Sequence, residues 1–106
     1  MDFRRTKTFD VDGVSLKVRE LPLSDTFALE KRLKASKETD DNAEMIDAFG
    51  DVAISTIFDE SGSTVFISIE NFRALPLRVF SIMADAILDV NGIGKSKDDE
   101  ADPTTE

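Results

Sequence analysis

Twenty-two carboxylates and no histidine or cysteine set the chemistry open to this chain. Without an imidazole or a thiol, its serines and threonines have no partner to activate them as nucleophiles. Thiolate metal sites and disulfides are excluded on the same ground. Acid–base work by carboxylates alone needs two of them in one cleft, and no spacing here marks such a pair. Two segments come near a ligand-binding motif. Asp59, Ser61, Ser63 and Glu70 fall at positions 1, 3, 5 and 12 of a calcium loop. The glycine that such a loop needs at position 6 is Thr64, so the ligands do not converge, and a helix–turn–extended connection is expected instead. Gly94-Lys95-Ser96 ends like a phosphate-binding loop, but Asp89 stands where the partner glycine belongs and would repel phosphate. No cofactor and no metal are therefore expected, and the protein is read as non-enzymatic.

The charge is uneven. Of the net −9, residues 1–37 contribute nine Lys/Arg against six acids, whereas residues 38–72 carry nine acids and no Lys or Arg. A chain so acidic is a poor nucleic-acid binder, because phosphate contacts need clustered cations. The bipolar layout suits a basic partner or head-to-tail self-association, and equally suits ordinary solvated surface. No apolar run is long enough to span a membrane and no N-terminal apolar region resembles a signal peptide, so a soluble cytoplasmic protein is expected.

The elements that must position any site can be read in order. Asp12-Gly13 is a two-residue hairpin turn within Thr6–Leu21. Pairing outward from it puts Phe9, Val11, Val14, Leu16 and Val18 on one face, which must lie on helices to be stable. The hairpin's open edges are either solvated or oligomer contacts. Ser24 is a candidate cap for a helix over Asp25–Ala35 with Phe27, Leu29 and Leu33 inward, its basic end (Lys31, Arg32, Lys34, Lys37) complementing the helix dipole. Ser36–Asn42 reads as a polar, mobile connection. Asp41 and Glu44 resemble a capping box for a helix over Ala43–Phe58. Gly50 weakens that helix by about 1 kcal/mol relative to alanine and suits a close helix approach. Thr64–Ser68 is a candidate third strand, and Ser68 a cap for a short helical turn through Leu75.

The final helix begins at Pro76 and closes at Gly92. Its polar residues Arg78, Ser81, Asp85 and Asp89 form one narrow stripe, and the rest of its circumference is apolar. It is either the central helix of the domain or a helix with a face reserved for a partner. The expected fold is α+β, an N-terminal β-hairpin packed on a mostly helical body of three to four helices. Residues 1–94 form a single domain in this reading, and residues 95–106 a disordered acidic tail.

Taken together, the hairpin ending in Val14–Leu23, the helical middle, the Leu75-Pro76-Leu77 step and the closing Asn91-Gly92 resemble the tail assembly chaperones of long-tailed bacteriophages and prophages. The resemblance spans roughly residues 5–94 and contains no catalytic signature. It implies a non-enzymatic protein that binds the tape measure protein, helps recruit tail tube subunits, works in the host cytoplasm and is absent from the mature virion. It also allows homo-oligomers. On this reading the client contacts are Phe72, Leu75, Leu77, Phe80 and Ile87. An acidic inhibitor or DNA mimic, and a small adaptor subunit docking its last helix, are the alternatives.

Overall fold

The protein is described from a computed structural model covering residues 3–93. The order is β1 (Thr6–Val11), β2 (Val14–Arg19), α1 (Leu23–Glu38), α2 (Asn42–Thr56), β3 (Ile57–Phe58), α3 (Ile69–Arg73) and α4 (Leu77–Val90). This is the expected α+β arrangement of a hairpin on four helices. The tail expected over 95–106 lies outside the described residues.

The hairpin takes the register its turn dictates, with Val11 opposite Val14, Phe9 opposite Leu16 and Lys7 opposite Val18. Asp12 (φ 52°) and Gly13 (φ 85°) both adopt the left-handed conformation that matches the strands' twist. Val11, Leu16 and Val18 are buried against α4, but Val14, expected on the same face, is 57% exposed. The third strand is not Thr64–Ser68. Ile57 leaves the end of α2 in an extended conformation and, with Phe58, pairs antiparallel with Lys17 and Val18 of β2. Thr64 only returns to form a single bridge with Phe58. The Asp59 carboxylate makes that return by accepting hydrogen bonds from the backbone N–H of Ser61 (2.9 Å) and Ser63 (3.0 Å). The near-calcium loop is thus a turn whose first carboxylate is occupied by its own backbone.

Several helix boundaries differ from expectation, among them that of α2, which spans Asn42–Thr56 and not Ala43–Phe58 because Ile57 and Phe58 are drawn into the sheet as β3. Helix α1 starts at Leu23, not Asp25, because the Pro22 carbonyl already accepts from Asp25 and Thr26 N–H, without a side-chain cap from Ser24. Likewise Pro76 is the cap residue of α4 and not its first turn, its carbonyl accepting from Val79 and Phe80. The connection Ser36–Asn42 is mostly helix. Residues 36–38 continue α1, and Ser36 is buried. The helix stops in a Schellman motif: Asp40 is left-handed (φ 56°), Asp41 N–H donates to Ser36 O at 2.8 Å, and Asp40 N–H to Lys37 O at 3.4 Å. The same motif ends α4, with Gly92 at φ 68° and Ile93 N–H donating to Leu88 O at 2.9 Å. Aspartate is less common than glycine in the left-handed role, which hid the first of these stops.

Asp41 caps α2 as expected, accepting from Glu44 N–H at 3.1 Å. The Glu44 side chain does not reach back to complete the box. It pairs instead with Arg32, whose guanidinium also reaches Asp51 at 2.8 Å and so clamps α1 onto α2. The hydrogen bonds to these two carboxylates hold the Arg32 proton more tightly than usual, so the guanidinium stays charged. Leu29 and Ser36 are the buried residues of α1. Phe27, expected inside, is 59% exposed, since two residues along a helix is a 200° rotation from Leu29.

Helix α4 is central. It packs on β1 and β2 on one side and on α2 on the other. Arg78, Ser81 and Asp85 of its polar stripe are exposed and Asp89 is half-buried, while Val79, Met83, Ala84, Ala86, Ile87 and Val90 are buried. Gly50 of α2 is a contact point: a Cβ there would lie 2.3 Å from Ile69 Cδ1 and 3.0 Å from Phe72 Cδ2. Gly50→Val is therefore expected to overpack the α2–α3 contact and lower stability by about 1–3 kcal/mol, despite better helix propensity. A fall in the urea midpoint with unchanged slope checks this.

Candidate functional site: a groove between α2 and α4

Four phenylalanines form a chain of ring contacts, and three of them, Phe49, Phe72 and Phe80, line the groove. Phe66 packs edge-to-face on Phe72 (ring centroids 5.3 Å apart), Phe72 on Phe80 (5.7 Å) and Phe80 on Phe49 (5.8 Å). Such pairs add to the stabilisation from burial and fix the angle between the elements that carry them. Here they hold the α3–α4 elbow against α2. Pro76 forces that elbow, since the residue before a proline is driven out of the helical region.

The elbow leaves a depression of about 440 Å³. Met45 and Ile46 from α2, Phe72 and Arg73 from α3, Leu75 from the elbow, and Leu77 and Phe80 from α4 line it, with Asn42 at one end. On the far side of Met45 and Phe80 lies a second depression of about 450 Å³. Its walls are Leu33, Ser36 and Lys37 of α1, the Asp40-Asp41 turn, Met45 and Phe49 of α2, and Ser81, Ala84, Asp85 and Leu88 of α4. Asn42, Met45 and Phe80 belong to both, so the two form one groove along the α2–α4 seam.

Of the five residues expected to contact a client, four lie on the first depression. Leu77 is 77% exposed, Leu75 and Phe80 are half-buried, and Phe72 shows only 1% of its surface at the floor. Ile87 is elsewhere: it is fully buried between α4 and the rest of the core and has no surface to offer. Met45 and Ile46 of α2, and Leu33 of α1, were not singled out from sequence as surface residues. Their apolar spacing reads as core, and only the gap beside α4 leaves them open.

The groove is lined mainly by apolar side chains. Among the described residues, no three of His, Cys, Asp and Glu are grouped to hold a metal ion. Arg73 at the rim is committed to Asp47, donating to both carboxylate oxygens at 2.9 Å. The acids of residues 38–72, which a DNA mimic would array on one face, are partly used inside the molecule: Glu44 and Asp51 by Arg32, Asp47 by Arg73 and Asp59 by its own turn. Among the described residues no helix is long and apolar enough to cross a membrane.

The fold is similar to that of the bacteriophage HK97 tail assembly chaperone in a solved structure. The likeness has a TM-score of 0.57 at 19% sequence identity, and covers 82% of this chain and 85% of that one. At that identity it is a likeness of fold. No family model matches the chain, and no curated protein matches it.

The Arg73 guanidinium holds the Asp47 carboxyl below the usual carboxylate range, and hydrogen bonds from the Ser61 hydroxyl and Ser63 N–H do the same for Asp59. A lowered folded-state pKa means that the unfolded chain takes up protons first as pH falls. These contributions are therefore present above about pH 4, the unfolded carboxylate range, and are lost as pH falls through the lower folded values. The Asp47→Asn variant is expected to lose less melting temperature than the parent between pH 6 and pH 3. An equal or larger loss in the variant would count against the pair.

Proposed function

We propose that this protein is a tail assembly chaperone of a long-tailed bacteriophage or prophage. In this reading it is non-enzymatic, binds apolar helices of the tape measure protein, and helps recruit tail tube subunits. It acts in the host cytoplasm and is absent from the finished virion. The observation that carries the reading is a fold shared over most of the chain with a tail assembly chaperone. The groove supports it independently of that likeness. A client helix needs an exposed apolar seam to cover its own stripe, and Leu75, Leu77, Met45 and Ile46 provide one. The inhibitor and DNA-mimic alternative is weakened by the internal pairing of Glu44, Asp47 and Asp51.

Co-expression with the tape measure protein encoded beside this chain tests the proposal. The expected result is a soluble tape measure protein that co-purifies. Leu77→Asp is the clean interface variant, since Leu77 is exposed and an acid in the first turn of a helix suits its dipole. Phe80→Asp is less informative, because that ring is stacked between Phe49 and Phe72. Losing one buried leucine contact is expected to reduce the co-purified client by about tenfold, with the melting temperature unchanged. A tape measure protein that stays insoluble overturns the proposal.

A further inference from the structure

The second depression differs from the first in its rim. Its floor is apolar, made by Leu33, Met45, Phe49, Phe80, Ala84 and Leu88. Its rim holds Asp40 and Asp41 on the α1–α2 turn and Asp85 on the opposite wall, against Lys37 as the one cation. Asp41 is occupied as the cap of α2. Among the described residues neither Asp40 nor Asp85 takes part in an ion pair. Two carboxylates outside any ion pair therefore flank an apolar trough from opposite sides, outnumbering Lys37 on the same rim.

We infer that this half of the groove selects an amphipathic helix of a partner protein whose apolar stripe is flanked by Lys or Arg. The inference rests on the chaperone reading for its client and specifies that client's chemistry. A helix is required because α1, α2, α4 and the turn between the first two make every wall. No strand edge is offered, so an extended segment would leave its backbone N–H and C=O groups unpaired. The cationic flanks follow from the rim, since a helix with acidic flanks would set like charges across the trough.

Other occupants fit less well. Residues 95–106 carry five acids and two lysines and have only Ala101 and Pro103 to lay on an apolar floor. On the helices of a second copy the large exposed apolar residues, among those described, are Leu23 and Phe27 of α1, one turn apart, and Leu77 of α4. Neither helix offers an apolar stripe long enough to cover a floor running from Phe80 to Leu88.

Two 18-residue Leu/Ala-striped helical peptides, one with Lys flanks and one with Glu flanks, test the inference against the full-length chain by fluorescence anisotropy. The Lys peptide is expected to bind at least about fivefold tighter at low salt, and the preference to shrink at 0.5 M salt. The double variant Asp40→Asn/Asp85→Asn is expected to abolish most of that preference, and asparagine tolerates the left-handed backbone at position 40. Glu60→Gln/Glu70→Gln changes net charge equally at exposed positions outside the groove, and is expected to preserve the preference. Equal binding of both peptides, binding of neither, or equal effects of the two double variants overturns the inference. So does an oligomer in sedimentation that Asp40→Asn/Asp85→Asn returns to monomer, because a second copy then fills the groove. The two proposals fail separately. A tape measure protein that co-purifies while the peptides show no charge preference removes only the rim's role. Peptide discrimination without a tape measure complex removes the chaperone reading and keeps the groove.

Discussion

The edge-to-face chain Phe66–Phe72–Phe80–Phe49 is the contact on which the rest of the arrangement depends. It joins the loop after β3, the short α3, α4 and α2 in one continuous stack. A five-residue helix such as α3 has no stability of its own, so its position is set by what Phe72 packs against. Gly50 allows that approach, and Pro76 forbids α3 and α4 from fusing into one straight helix. The groove is what remains open when an elbow is held against a neighbouring helix by rings on one side only.

The opposite side of α4 is closed by the hairpin. Val11, Leu16 and Val18 cover it, and two ion pairs, Arg78 with Asp12 and Lys7 with Asp89, tie the strand ends to the helix's polar stripe. These pairs are largely exposed, so they orient the hairpin more than they stabilise it. A hydrogen bond from Leu21 N–H to the Asn91 side chain (2.8 Å) fastens the start of the β2–α1 connection to the end of α4. Asn91 itself donates to Ile87 O at 2.8 Å. These contacts fasten the sheet to α4 and leave between them a smaller depression of about 260 Å³ beside Phe9 and Ile82, while the groove lies on the α2 side.

Legibility followed the range of each interaction. The hairpin register was readable because Asp12-Gly13 fixes it locally and the period of two does the rest. The Gly92 stop and the Asp41 cap were readable for the same reason. The Schellman stop at Asp40 was not, because aspartate marks that conformation less strongly than glycine. The caps at Pro22 and Pro76 were not legible, the sequence pointing to Ser24 for α1 and to Pro76 as the first residue inside α4, since a carbonyl can accept the first helical bonds without any side-chain signature. The strand at Ile57–Phe58 was missed because its pairing with Lys17 and Val18 is long-range, and a two-residue strand has no periodicity.

By itself the sequence determined the α+β class, the hairpin register, the absence of histidine and thiol chemistry, and the polar stripe of α4. These depend on residue type and on spacings shorter than one helix. Tertiary structure alone decided which apolar residues stay open. Ile87 and Leu77 look alike as letters on one helix, yet one is fully buried and the other 77% exposed. The difference arises because Ile87 faces the packed core, while Leu77 faces the open depression that it lines with Met45 and Ile46 of α2. Tertiary structure also paired the acids of the middle segment with Arg32 and Arg73, and left Asp40 and Asp85 facing each other across an apolar trough. No local pattern carries that information, because it depends on which helices fail to touch.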